Sequence, residues 1–115
     1  MPSPPLVPDD GPIDFAHLRN MTLGDESLER EVLAMFAAQT VELAAALAQL
    51  PPDGAAAAHK LKGSARAVGA TRVAAAAADL ETALQSGADP ANPLAALDDA
   101  VGEARAAIDA ILRRC

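Results

Sequence analysis

Apolar side chains recur at helical spacing through the last quarter of this chain: Leu94, Leu97, Val101, Ala104, Ile108 and Ile111 follow one another at intervals of 3, 4, 3, 4 and 3. That rhythm winds a single apolar stripe along an α-helix. No stretch of the 115 residues alternates convincingly with the period of two that a half-buried strand needs. Hydrophobic residues make up 51% of the chain but aromatics only 2%, so the core must be built from Ala, Leu, Val and Ile. Such a core suits closely packed helices better than sheets of β-branched and aromatic strands.

Punctuation divides the chain into helices. A short helix is expected over Asp14 to Met21, with Phe15 and Leu18 facing inward. Asp25 reads as the N-cap of a second helix, with Glu26 and Glu29 favourable to its dipole. This helix runs to about Leu50 with Val32, Phe36, Leu43, Leu47 and Leu50 as its stripe and Met35 alongside, and Pro51-Pro52 ends it. Asp53 is placed to cap a third helix that closes near Val68 at Gly69. The fourth, from about Thr71 to Ser86, puts Val73, Ala77, Leu80 and Leu84 on one face, with Gly87 after it. Asn92 and Pro93 fit N-cap and first helical position of the last helix. The alanine runs, Ala44 to Ala46 and Ala74 to Ala78, are good helix formers that permit close approach. The expected fold is all-α: an antiparallel four-helix bundle over 13–115 with a short additional N-terminal helix, preceded by a Pro-rich flexible tail over 1–12.

Several function classes drop out. A net charge of −7 lacks the basic stripe that nucleic-acid phosphates require, and the missing aromatics remove stacking platforms. Cys115, the single cysteine, builds neither a disulfide nor a thiolate zinc site within one copy. The first residues have no basic and apolar signal-peptide pattern, and no charge-free apolar run near 18 residues is present, so no membrane association is expected. A cytoplasmic setting fits these features.

The chemistry concentrates at His59, within Ala57-Ala58-His59-Lys60-Leu61-Lys62-Gly63-Ser64-Ala65-Arg66. On a helix, Ala57, Leu61, Ala65 and Val68 gather on one side and His59 lies nearly opposite, among Ala55, Ala56, Lys62, Gly63 and Arg66. Lys62 at i+3 shares the His59 face, so its ammonium can reach a phosphoryl group on the imidazole. Gly63 at i+4 costs about 1 kcal/mol against alanine in a helix interior. Its missing Cβ leaves the ring open to a bulky partner. Arg66 continues the basic edge. Imidazole is the side chain poised to be neutral and nucleophilic near physiological pH. His17 has no comparable surroundings and reads as structural, and Asp98, Asp99 and Glu103 read as a solvated helix face rather than a metal site. A helical adaptor that docks an acidic signalling partner without transferring anything would use the same basic edge and clearing, and it remains the alternative reading.

The run His59-Lys60-Leu61-Lys62-Gly63-Ser64, followed by Val68-Gly69 and Leu80-Glu81, resembles the signature of histidine-containing phosphotransfer (HPt) domains of two-component phosphorelays, over about residues 13–113. The resemblance implies that His59 takes a phosphoryl group from an aspartyl phosphate on a response-regulator receiver domain and passes it to another receiver. It implies that Lys62 steadies the phosphoryl charge, Gly63 leaves room for the receiver, Ser64 supports the local helix, and Lys60 and Arg66 border the docking surface. Ala65 stands where many relatives carry a small hydroxyl residue, and the lead-in after Pro51-Pro52-Asp53-Gly54 is shorter than is general in the family. The implied module is a carrier, not an enzyme, with no kinase activity of its own. It binds no cofactor or metal itself; Mg²⁺ and the activating groups come from the partner receiver. Upstream stands a sensor histidine kinase, hybrid or not. A monomer is the simplest state, because His59 lies on a free face.

Overall fold

The computed structural model describes residues 11–113, and these are helical throughout apart from turns and connections, with no strand among them. The first ten residues of the expected tail, together with Arg114 and Cys115, lie outside the described residues. Gly11 and Pro12, counted with the tail, are half-buried and lead into fully buried Ile13.

Five helices follow one another: α1 (Phe15–Met21), α2 (Glu26–Ala48), α3 (Gly54–Val68), α4 (Thr71–Ser86) and α5 (Ala91–Leu112). The Asp14 carboxylate accepts from the His17 N–H at 3.1 Å and the Asp25 carboxylate from the Leu28 N–H at 3.1 Å, so both act as the N-caps that α1 and α2 need. Asp53 behaves differently from expectation. It holds the position before α3 but makes no side-chain cap bond, because its φ −97° and ψ 24° are not the extended conformation that aims a cap carboxylate at the first turn. The last helix also starts earlier than Asn92, at Ala91. The Asp89 carboxylate accepts from the Ala91 N–H at 2.9 Å, and Pro93 falls within the first turn, where its missing N–H removes no helix bond.

Contacts run α2–α3, α3–α4, α4–α5 and α5–α2, so the four long helices form a closed cycle, while α1 packs on α3. The core is aliphatic: Leu33, Leu47, Leu61, Val73, Leu80, Leu97 and Ile108 are buried, with Ala58, Ala65, Ala77 and Ala104 letting the helices approach. Two expectations fail here. Phe15 is exposed, its inward place being taken by Ile13 and Leu18. The buried stripe of α2 runs through Leu33, Phe36, Thr40 and Leu47, rotated from the expected one, so Val32 and Leu43 are half-buried while Met35 and Leu50 are exposed. A long helix touching both α3 and α5 buries the stripe between two neighbours, and the sequence alone does not set its angle. By length and composition α2 is apolar enough to cross a membrane, a test that the core helix of a soluble protein also passes.

The end of the bundle is tied down locally. Gly69 closes α3 with φ +83°, and its carbonyl accepts from the Asp14 N–H at 2.7 Å. A Cβ on Gly69 would lie 2.7 Å from the Asp14 carbonyl oxygen, so only glycine meets both the left-handed backbone and the close approach of α1. His17 adds a second tie, its Nε2–H donating to the Ala67 carbonyl at 3.2 Å. That structural role matches the sequence reading of His17.

Candidate functional site

α3 places His59 six residues in, on the face turned away from Ala58, Leu61, Ala65 and Val68, all of which are buried. The His59 side chain is 67% exposed. One turn on, Lys62 stands on the same side. Across the gap α4 presents Glu81, whose side chain is only 12% exposed. Its two oxygens are divided. Glu81 Oε2 lies 2.9 Å from His59 Nδ1, and Glu81 Oε1 accepts from Lys62 Nζ at 2.6 Å.

The Lys62 hydrogen bond is the main force holding the Glu81 carboxyl below its ordinary range; burial opposes it, and the His59 bond and both nearby positive charges add to the lowering. An ionised carboxylate can only accept, so the proton in the His59–Glu81 bond sits on Nδ1. A neutral ring in this arrangement keeps its lone pair on Nε2. The site therefore has a built-in tautomer, set from a neighbouring helix in the way a buried carboxylate sets a catalytic histidine.

Lys62 is 18% exposed and committed to Glu81. Sequence reasoning placed a free cation beside the ring; the structure shows that cation already paired. Glu81 is the residue that sequence reasoning passed over as a functional group, although Leu80-Glu81 formed part of the quoted signature. The available signal was positional: buried Leu80 turns the α4 core stripe inward, which leaves Glu81 at the seam with α3.

Gly63 is exposed, and a Cβ built there meets nothing within 4 Å. Close helix packing thus gives no reason for the glycine. Ser64 lines a surface hollow of about 350 Å³ between α2 and α3, together with Val32, Met35, Phe36, Gln39 and Ala67. Lys60 is exposed on the same helix. Arg66 is exposed as well, but it borders a different hollow, toward α1 and α4, with Asp14, His17 and Thr71. The structure therefore gathers His59, Lys62 and Glu81 into one bonded unit, keeps Gly63 and Ser64 at its margin, and leaves Lys60 and Arg66 outside it.

Among the described residues no group of three or more His, Cys, Asp or Glu side chains could hold a metal ion. Asp98 and Asp99 are exposed on α5, and Glu103 is paired with Arg72 at 3.1 Å. What the unit offers is an accessible, oriented imidazole nitrogen with a fixed negative charge behind it.

A family model described as the Hpt domain matches residues 31–113, which takes in most of α2 and all of α3, α4 and α5. No curated protein matches the chain. No solved structure matches it either.

Proposed function

Because the chain belongs to the Hpt domain family, whose members carry phosphoryl groups on histidine in two-component phosphorelays, we propose that His59 is its phosphorylated residue and Nε2 the accepting atom. The Nε2 lone pair attacks the phosphorus of an aspartyl phosphate on a receiver domain. A P–N bond forms as the P–O bond to the aspartate breaks, and the receiver recovers a free carboxylate. The ring becomes a cation with its proton still on Nδ1, where the Glu81 carboxylate lies 2.9 Å away. Return of the phosphoryl group to a second receiver reverses these bonds. Phosphoryl transfer depends on placement and charge neutralisation more than on covalent work by the carrier. In this reading Mg²⁺ and the activating groups belong to the receiver.

Lys62 serves mainly as a positioning residue. Its ammonium holds Glu81, and Glu81 holds the ring; the ammonium's charge would also steady an arriving phosphoryl group. Gly63 provides clearance. The docking surface continues from Gly63 over Ala67 into the α2–α3 hollow, where Met35 is 73% exposed and offers an adaptable apolar contact. Short connections and the cyclic contacts of α2 to α5 support an antiparallel four-helix scaffold for this surface. The partners are receiver domains, fed by a sensor histidine kinase.

The observation that carries the proposal is the accessible His59 ring held at Nδ1 by a carboxylate. His59→Gln tests it. With a ³²P-labelled receiver as donor, the variant should take up no label while its helical circular dichroism stays unchanged. Label on the unmodified chain should survive base and be lost in acid, as a phosphoramidate is. Undiminished labelling of His59→Gln would assign the acceptor elsewhere, and a variant that still binds receivers without any labelling of the parent chain would favour the adaptor.

A further inference from the structure

α3 runs through Lys60, Lys62 and Arg66 without an Asp or Glu, in a chain whose net charge is −7. Other cations are used within the fold. Arg19 faces Glu29, Arg30 donates to the Ile111 and Leu112 carbonyls, Arg72 pairs with Glu103, and Lys62 itself holds Glu81. Lys60 and Arg66 are exposed and form no ion pair among the described residues. Asp14 borders the same hollow as Arg66, but its carboxylate accepts from the His17 N–H at 3.1 Å. The fold itself makes no use of these two charges.

Helix geometry sets them astride Gly63. Each is three residues from it, which places them about 4.5 Å away along the axis in opposite directions and about 60° to opposite sides. Gly63 puts no side chain between them, and a Cβ there would meet nothing within 4 Å. Lys60 lies one turn before Ser64, on the side of the α2–α3 hollow, whereas Arg66 borders the hollow toward α1 and α4. His59 stands one turn before Gly63, with its side chain 67% exposed. A partner that seats its reacting group on the His59 ring therefore settles between one cation on each flank.

With His59 as the phosphoryl acceptor, the reading on which this inference rests, the partner's face is acidic for chemical reasons. It presents an aspartyl phosphate, and it holds Mg²⁺ through carboxylate and phosphoryl oxygens. A single divalent cation leaves such a cluster negative overall. We propose that Lys60 and Arg66 select the receiver by charge, pairing during docking with carboxylates on the rim around its aspartate and taking no part in the transfer step. Charges at the rim of an interface act mainly by speeding encounter and by rejecting partners of the wrong sign. A receiver with a basic rim is turned away at the same two points.

Transfer from a ³²P-labelled receiver to the full chain, followed over receiver concentration, tests the proposal. For Lys60→Glu/Arg66→Glu the half-saturating receiver concentration should rise about tenfold or more at about 0.01 M salt, where the Debye length is about 30 Å. It should approach the parent's value at about 1 M, where that length is about 3 Å. The rate at saturation should stay within about twofold of the parent's. Lys60→Arg/Arg66→Lys keeps both charges and should behave as the parent. Arg66→Glu alone should show part of the effect. Arg105→Glu makes the same charge change at an exposed site on α5, diagonal to α3 in the bundle, and should show none. If the parent takes label and the double Glu variant keeps its half-saturation value, charge selection is overturned while the His59 reading stands. An equal rise in Arg105→Glu, or a fall in the saturating rate with half-saturation unmoved, also overturns it. A parent that takes no label overturns the His59 reading and this inference with it.

Discussion

Gly63 separates the requirements of the helix from those of transfer. It is an exposed glycine in the interior of α3, and a Cβ there meets nothing within 4 Å. Alanine should therefore be accommodated without strain and stabilise the fold by about 0.5–1 kcal/mol through helix propensity and reduced backbone entropy. For a domain near this size that raises Tm by about 2–8 °C. Gly102 provides an internal standard, since it too is exposed within a helix, α5, with nothing within 4 Å of a built Cβ. Gly102→Ala should raise Tm by a similar amount and leave phosphotransfer unchanged. Gly63→Leu keeps most of the propensity gain but sets a branched side chain one turn from His59, on the side where the receiver must seat its aspartate. Displacement of a reacting group by about 1 Å costs on the order of a hundredfold in rate. Transfer should therefore fall at least that far in Gly63→Leu while Tm stays at or above that of the parent. Thermal circular dichroism and ³²P transfer from a phosphorylated receiver measure the two quantities on the same samples. Parent-like transfer by Gly63→Leu would refute the access argument. A destabilised Gly63→Ala beside a stabilised Gly102→Ala would show that the glycine serves packing after all.

Glu81→Gln should damage the unit more than loss of one charge suggests, because an amide has one oxygen for two donors: if that oxygen faces Lys62, the NH₂ group faces Nδ1 and forces the proton to Nε2. ¹⁵N shifts of His59 should report the exchanged tautomer and transfer should slow by about tenfold or more; an unchanged tautomer would remove Glu81 from the mechanism. Because Lys62 chiefly lowers the Glu81 carboxyl, Glu81 stabilises the fold above the ordinary glutamate range and loses that contribution as pH falls through its lowered value. Thermal melts between neutral and acid pH should lose this part of the slope in Glu81→Gln, and an identical slope would count against it. Thr40 Oγ1 is buried without a hydrogen-bond partner, so Thr40→Val should stabilise the fold by about 1 kcal/mol in urea unfolding; a lowered midpoint would mean that the hydroxyl is satisfied. Gly69→Ala should destabilise by about 1–3 kcal/mol, through its left-handed φ and the 2.7 Å approach of a Cβ to the Asp14 carbonyl oxygen; a neutral outcome would show that α1 docks loosely.

Local features of the chain were enough to give the helices and to single out His59. The 3 and 4 spacing of Leu97, Val101, Ala104 and Ile108, the cap at Asp25, and the stops at Pro51, Gly69 and Gly87 act within a few residues, so they are readable without a fold. The outward direction of His59 follows from the same geometry, because Ala58, Leu61 and Ala65 must point inward. Other features required neighbours distant in sequence. Which face of α2 is buried depends on where α3 and α5 lie, and so Leu33 rather than Leu50 enters the core. Phe15 could be turned outward because Ile13, just before the helix, fills the space beneath α1. The partner of Lys62 depends on the rotation of α4 against α3, which sets Glu81 between two side chains 19 and 22 residues away. Spacing along one helix can present an imidazole, but the proton on a particular nitrogen is set by a charge held across the seam, and only helix packing puts it there.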